Sequence, residues 1–444
     1  MRPRTAPDLQ RTLRSLPRGS HVSLAGARHA MGGQQFGESA IHVDTMAMTE
    51  ILSLDPERGI VDVQAGVTWP LLIQGLTGLQ GDSPGTWGIV QKQTGADELT
   101  LGGALAANIH GRGLSLGPIV DDVESFTLVD PDGELRACSR TEHPELFSLA
   151  IGGYGLFGII STVQLRLRRR RKVRRVVELM DVRDVTAAVE TRIREGYLFG
   201  DLQFFIDERS DDFMRRGIFS CYLPVQDDTP MPAAERQLSS QDWAQLITLA
   251  HTDRARAVEL YVQYYLSSSG QLYWSDTHQL SEYLDGYHLA LDAATVAPVP
   301  GSEMISELYV PRERLPDFME RLRADYQPGP SPVIYGTIRF IEPDTTTVLA
   351  WARERWACIV LNLHVDHSPA GIALAAERFR RLIDHARALG GSYYPTYHRW
   401  ATRDQVLACH PAFPRFLELK RRYDPRGVFQ STWYRHHVKL LGGT

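Results

Sequence analysis

The chain has 444 residues, of which 43% are hydrophobic and 23% charged, with a formal net charge of −5. That length suits two domains and that balance suits a globular protein, which excludes disordered, collagen-like and disulfide-scaffold classes. A mildly acidic chain offers no overall basic field to nucleic acid, so no nucleic-acid partner is expected. Cys138, Cys221, Cys358 and Cys409 are far apart and form no CxxC pair, which fits a reducing compartment and argues against structural zinc. No metal site is expected. The residues after Met1 lack a signal-peptide core, and no apolar run reaches the roughly 18–20 residues of a membrane span. A cytoplasmic protein without a membrane span is the resulting expectation.

Along the chain, His21–Ala25 is a short strand ending in glycine, and Ile60–Ala65 alternates as a half-buried strand does. Thr68–Leu79 has helical spacing, with Thr68 as cap and Pro70 in the first turn. Val123–Val129 is a strand closed by the turn Asp130–Gly133, and Ile159–Leu167 is a longer strand. The run Arg166–Arg175 lacks the aromatics of a nucleic-acid reader and is read as a solvated strand end leaving the first domain. Beyond it, strands at Val176–Leu179, Asp201–Ile206 and Glu307–Val310 alternate with helices at Val182–Glu195, Pro316–Tyr326 and Ala370–Leu389. Pro298–Ser302 and Pro328–Pro332 are turn-rich joints. Mixed α and β structure follows.

Three glycine clusters carry the chemistry. Ala25-Gly-Ala-Arg-His29-Ala-Met-Gly-Gly-Gln34 follows a strand, and such loops bring backbone N–H groups close to an anion. Leu99–Gly113 is dominated by small residues, which suits a backbone pressed against a flat ligand. Gly152-Gly-Tyr-Gly-Leu-Phe-Gly158 contains the letters G-x-G-x-x-G, but a strand follows where a dinucleotide fingerprint needs a helix. Three clusters in one third of the chain point to a sizeable nucleotide ligand outside a Rossmann fold.

The order and content of these segments resemble the FAD-binding fold of the vanillyl-alcohol oxidase / p-cresol methylhydroxylase superfamily, nearest its sugar-alcohol and aldonolactone oxidase branch. The carrying residues are Gly26–His29, Thr100–Gly103 with Asn108–Gly111, Leu156–Ile160, and the tail Lys420-Arg-Arg-Tyr-Asp-Pro-Arg-Gly-Val-Phe429. The resemblance implies an α+β protein: a two-subdomain FAD-binding domain over residues 1–175, an α+β cap with an antiparallel sheet over 176–410, and a C-terminal segment, 411–444, returning to the first domain. It implies FAD held by Gly26, Ala27, Arg28, His29 and Ala30, lined by Thr100, Gly103, Asn108, Gly111 and Gly117, and closed by Gly158 and Ile160. His29 either bonds covalently to the flavin 8α-methyl or only hydrogen-bonds or stacks beside it. No cysteine lies near Gly117–Asp122, so no second tether is expected. Family members usually begin with a further strand before the counterpart of Arg2–Asp8. A late start or a trimmed first subdomain is therefore expected.

The same resemblance implies hydride removal from a carbon bearing a hydroxyl. Alternation sets Tyr335, Thr337 and Arg339 on one strand face. The resemblance places Arg339 over the flavin, while Thr337 stands where polyol oxidases have a glutamate. Asn362, His364 and Asp366 share another face, a polar row that needs a reason because burying an unpaired polar group costs about 1–3 kcal/mol. His364 is read as a general base or a structural histidine. Tyr394, Thr396 and His398 would share a face, with Tyr397 on the other; one or more of Tyr394, Tyr397 and His398 is expected to touch substrate. Ile109 is bulky where residue size affects oxygen access in relatives, which leans toward an acceptor other than oxygen. The expected partners are a small-molecule substrate and molecular oxygen or another electron acceptor. A flavin-dependent C=C reductase, or a flavin-binding protein without turnover, are the alternatives.

Overall fold

The computed structural model describes residues 1–232, 237–281, 284, 286–327 and 329–442. The N-terminal part is built on a five-stranded antiparallel sheet in the order Ile51–Asp55, Ile60–Gln64, Ile159–Arg166, Val123–Val129, Leu135–Ser139. Its apolar face buries Val61, Val63, Phe126, Leu128 and Val163 against helices Trp69–Gln80, Leu101–Ala107 and Pro144–Ala150. A separate parallel pair, Val22–Ala25 with Ile41–Asp44, carries the first glycine loop at its end. The Val22 amide donates to Val428 O at 2.7 Å, so the C-terminal tail returns to this strand. The strand Ile159–Arg166 directly follows Gly158, as the absence of a Rossmann helix requires.

The second sheet has eight antiparallel strands, in the order Leu272–Trp274, Lys172–Asp181, Arg216–Pro224, Phe199–Phe204, Val333–Ile341, Trp356–Asp366, Gly301–Pro311, Ser392–Tyr393. Leu202, Ile338, Leu361 and Leu308 enter the main core with Phe318, Leu322, Phe379 and Leu382 of helices Leu315–Tyr326 and Pro369–Arg387. The intervening positions turn toward a large cavity. The fold is thus α+β. No helix among the described residues is long and apolar enough to cross a membrane.

Two expectations change here. The basic run is solvated only in part: Arg168 and Arg169 are exposed, but Arg170, Lys172 and Arg175 are buried. Arg170 Nε reaches Asp276 Oδ2 at 2.7 Å and Lys172 Nζ donates to Asp227 O at 2.7 Å, both partners lying far along the chain. The joint expected at Pro298–Ser302 ends sooner, because the long strand begins at Gly301. In Pro328–Pro332, Pro328 lies outside the described residues; Ser331 Oγ accepts from the Val333 amide at the next strand's start.

Candidate active site

A single cavity of about 1190 Å³ runs from the glycine loops to the second sheet. Its N-terminal wall includes Gly26–Met31, Thr100, Gly102, Gly103, Gly158 and Ile160. Close packing here depends on missing side chains. A Cβ on Gly26 would fall on the Thr100 hydroxyl, which caps helix Leu101–Ala107 by accepting from the Gly103 amide at 3.2 Å. A Cβ on Gly158 would lie 2.6 Å from Leu128 Cδ1. Arg28 has φ 61°, a left-handed conformation costly for a side-chain-bearing residue and common at functional sites.

The amides of Gly26, Ala27, Arg28 and Ala30 donate to no acceptor among the described residues. Gln34 Oε1, Gln93 Oε1, Arg339 Nε and Arg339 Nη1 are buried in this cavity without hydrogen-bond partners among the described residues. Buried polar groups are rarely left so, and a long polar ligand against the loops would satisfy them. A narrow backbone cradle, free amides for phosphate and inward-facing amide side chains fit FAD.

Arg339 stands on strand Val333–Ile341, nearly fully buried, opposite Cys358 in the register. Near it is a buried polar cluster centred on the fully enclosed Glu307. His110 Nε2 lies 2.6 Å from Glu307 Oε1, Tyr309 donates to the same oxygen at 2.5 Å and Cys358 Sγ at 3.4 Å. Burial pushes the Glu307 carboxyl up, but His110, Tyr309 and Arg339 outweigh it and hold the group below its usual range. Tyr397 lines the cavity and accepts a 3.2 Å hydrogen bond from Gln93 Nε2. Burial, with Glu307 adding to it, raises the Tyr397 hydroxyl well above its usual range, so it stays protonated.

Asp201 is the carboxylate that sequence reading missed. It lines the cavity on strand Phe199–Phe204, almost fully buried. Pairing of Leu202 with Ile338 sets Asp201 beside Arg339 on the neighbouring strand and the same face. Asp201 Oδ2 accepts from Thr337 Oγ1 at 3.1 Å and from Gln203 Nε2, whereas Oδ1 has no hydrogen-bond partner among the described residues. Arg112 Nη1 lies 3.9 Å from Oδ1, and the Gly200 amide donates to Arg112 O at 2.9 Å. Around them Arg175 packs over the Tyr265 ring at 4.3 Å and Arg112 over Tyr222 at 5.0 Å. The signal for Asp201 was a carboxylate that alternates with Gln203 between the apolar positions of a buried strand.

The expected site residues divide into those that meet the cavity and those that do not. Gly26, Ala27, Arg28, His29, Ala30, Thr100, Gly103, Gly158, Ile160, Arg339, Tyr394 and Tyr397 line it. Burial lowers the His29 pKa, with Glu98 and Asp97 opposing, which favours a neutral imidazole. Asn108, Gly111 and Gly117 stand behind the wall. Asn108 donates to Asp344 Oδ2 at 2.8 Å and accepts from the Val120 amide, while Gln91 accepts from the Gly111 amide and donates to Gly117 O. His398 is enclosed by Phe379, Tyr393 and Trp400 outside the cavity lining, and burial lowers its pKa to about 3. The strand pairing stops at Tyr393, so the expected alternation fails and Tyr394, Thr396 and Tyr397 all meet the cavity. His364 faces Glu303 at 3.1 Å and borders a smaller neighbouring cavity instead.

Residues 1–139 match the family of FAD binding domains. This part of the chain is an FAD binding domain, and FAD is the cofactor. Cytokinin dehydrogenase 2 of Arabidopsis thaliana is 30% identical over 169 residues, covering 37% of this chain and 32% of that protein. An uncharacterized oxidoreductase of the fasciation locus of Rhodococcoides fascians is 29% identical over 166 residues, covering 37% of this chain and 36% of that protein. These matches span about a third of the relatives' own length. Decaprenylphosphoryl-beta-D-ribose oxidase of Mycolicibacterium smegmatis is 23% identical over 433 residues, covering 92% of this chain and 88% of that protein.

Proposed function

We propose that the protein is an FAD-dependent oxidoreductase that removes a hydride from an alcohol carbon of a polyol, sugar or lactone-like small molecule. One observation carries this reading. Arg339, with two guanidinium nitrogens that make no hydrogen bond among the described residues, and Asp201, whose Oδ1 accepts none among them and lies 3.9 Å from Arg112 Nη1, line the same cavity as the glycine loops. FAD, when bound, supplies a hydride acceptor at flavin N5. Asp201 Oδ1 takes the proton of the substrate hydroxyl as general base. Arg339 and the protonated Tyr397 hydroxyl donate to the same substrate oxygen and stabilise the negative charge that develops there. Glu307, held by His110 and Tyr309, supplies a negative charge near Arg339. His29 is proposed to attach the flavin covalently. Residues 1–175 hold FAD, 176–410 close the substrate chamber, and 411–444 fasten the tail to the first domain.

The reach of the similarity favours a hydroxyl-bearing substrate. Likeness to the cytokinin dehydrogenases is confined to about a third of the chain, whereas likeness to the decaprenylphosphoryl-beta-D-ribose oxidase extends across the cap. The test is anaerobic mixing of the FAD-loaded protein with a panel of polyols, sugars and lactones, with a cytokinin included. Bleaching of the flavin band by a member of the hydroxyl-bearing panel supports the proposal. Bleaching by the cytokinin alone, or reoxidation of reduced flavin only by C=C substrates, sinks it.

A further inference from the structure

We propose a second ligand site, for a single zinc-class transition-metal ion, on His251, Glu303 and His364. His251 comes from helix Ser240–Thr252, and Glu303 and His364 are directly paired across the strands Gly301–Pro311 and Trp356–Asp366. The three ligand atoms lie within 4.8 Å of one another. Glu303 Oε1 is 3.2 Å from His251 Nε2 and 3.1 Å from His364 Nδ1. A tetrahedral ion with bonds of about 2.0–2.2 Å holds its ligand atoms roughly 3.3–3.6 Å apart, so these two spacings need little adjustment.

One nitrogen of this cluster has room for a ligand. His251 Nε2 is buried yet makes no hydrogen bond with the described residues, although the carboxylate oxygen is only 3.2 Å away. The two imidazoles meet edge to face with centroids 4.9 Å apart.

The surroundings are those of a metal site. His364 Nε2 lies 3.4 Å from Asp366 Oδ1, the carboxylate–histidine arrangement that orients a ligating imidazole. Glu303 Oε2 is held by Tyr287 and lies 3.1 Å from His288 Nε2. A Cβ on Gly301 would fall on the His364 ring, so that glycine lets the ring lie across the strand. His251 and His364 also border a cavity of about 250 Å³, room for the water that completes a three-ligand site. Arg254 in that cavity is paired with Glu208 at 2.5 Å. No cysteine takes part, so the expectation of no metal drawn from cysteine spacing does not bear on this site.

The ion would tie helix Ser240–Thr252, which presents Trp243, Leu246 and Ile247 to the large cavity, to the central strands of the sheet. The test uses the FAD-loaded protein stripped on a chelating resin and titrated with Zn²⁺ by calorimetry and with Co²⁺ by difference absorbance to the red of the flavin band. One saturable equivalent with tetrahedral Co²⁺ bands is expected. His251→Ala should weaken uptake at least tenfold, and Asp366→Asn, at a half-exposed position, by about 10–100-fold. In each protein the retained flavin colour shows that the fold is intact, so the result is independent of turnover. Absence of saturable uptake by the wild-type holoprotein, or uptake unchanged in both His251→Ala and His364→Ala, overturns the proposal.

Discussion

Thr337 Oγ1 donates to Asp201 Oδ2 at 3.1 Å, joining adjacent strands of the second sheet behind the cavity wall that Asp201 lines. Where the resemblance calls for a glutamate at position 337, this chain has a hydroxyl that holds a carboxylate from the next strand. In the proposed mechanism this carboxylate supplies the acid/base group from the neighbouring strand.

Asp201→Asn should lower the rate of anaerobic flavin reduction by about 10²–10⁴-fold, the usual contribution of a general base. Thr337→Val removes one hydrogen bond from the carboxylate, worth roughly 1 kcal/mol, and should slow the same step by about 3–10-fold. Stopped-flow absorbance at saturating substrate checks both. Equal, small effects of the two variants would remove Asp201 from the proton transfer.

In the N-terminal part the strands Val22–Ala25, Ile60–Gln64, Val123–Val129 and Ile159–Arg166 are legible in the sequence as short apolar runs beside turn signals, whereas Ile41–Asp44, Ile51–Asp55 and Leu135–Ser139 are not. The cap is less legible. Arg170 and Arg175 read as solvated charge, since their partners Asp276 and Ser220 are far away in sequence. Alternation puts His364 on the right strand face, but Glu303, which captures it, lies sixty-one residues earlier. The helices Ser240–Thr252 and Arg254–Ser267 escape a reading by apolar spacing, although Ser239 and Asp242 form a capping box. At Tyr394–His398 a period-two reading fails because the backbone turns after two paired residues.

Gly26→Ala tests the cradle. The new methyl would press on the Thr100 hydroxyl and disturb a cap worth about 1 kcal/mol to helix Leu101–Ala107. The variant should fold with a modest loss of thermal stability and retain FAD poorly, the ratio of flavin to protein absorbance falling severalfold after gel filtration. Undiminished flavin content would show that the loop stands away from the cofactor.

His29 is the expected point of covalent attachment. Burial favours its neutral form, the nucleophilic one, and it lines the cavity beside the loop that holds FAD. Acid precipitation should leave the yellow colour in the pellet of the wild-type protein and release it from His29→Ala. Colour in the wild-type supernatant would leave FAD bound without a covalent link.

Asp122 gives a pH dependence that can be signed. Burial raises its carboxyl from 3.8 to about 7, with the 2.9 Å hydrogen bond from Gln91 opposing the rise. Between these values the folded chain keeps a proton that the unfolded chain releases, so stability falls as pH rises from about 4 to about 7 and then levels. Asp122→Asn stays neutral throughout and should flatten this segment of the profile. A tenfold change in proton affinity corresponds to about 1.4 kcal/mol, so at about pH 8 the variant should exceed the wild type by roughly 2–4 kcal/mol. Near pH 4 the two should converge. Urea denaturation across this range reads both, and parallel profiles for the two proteins would show that Asp122 is ionised in the folded state.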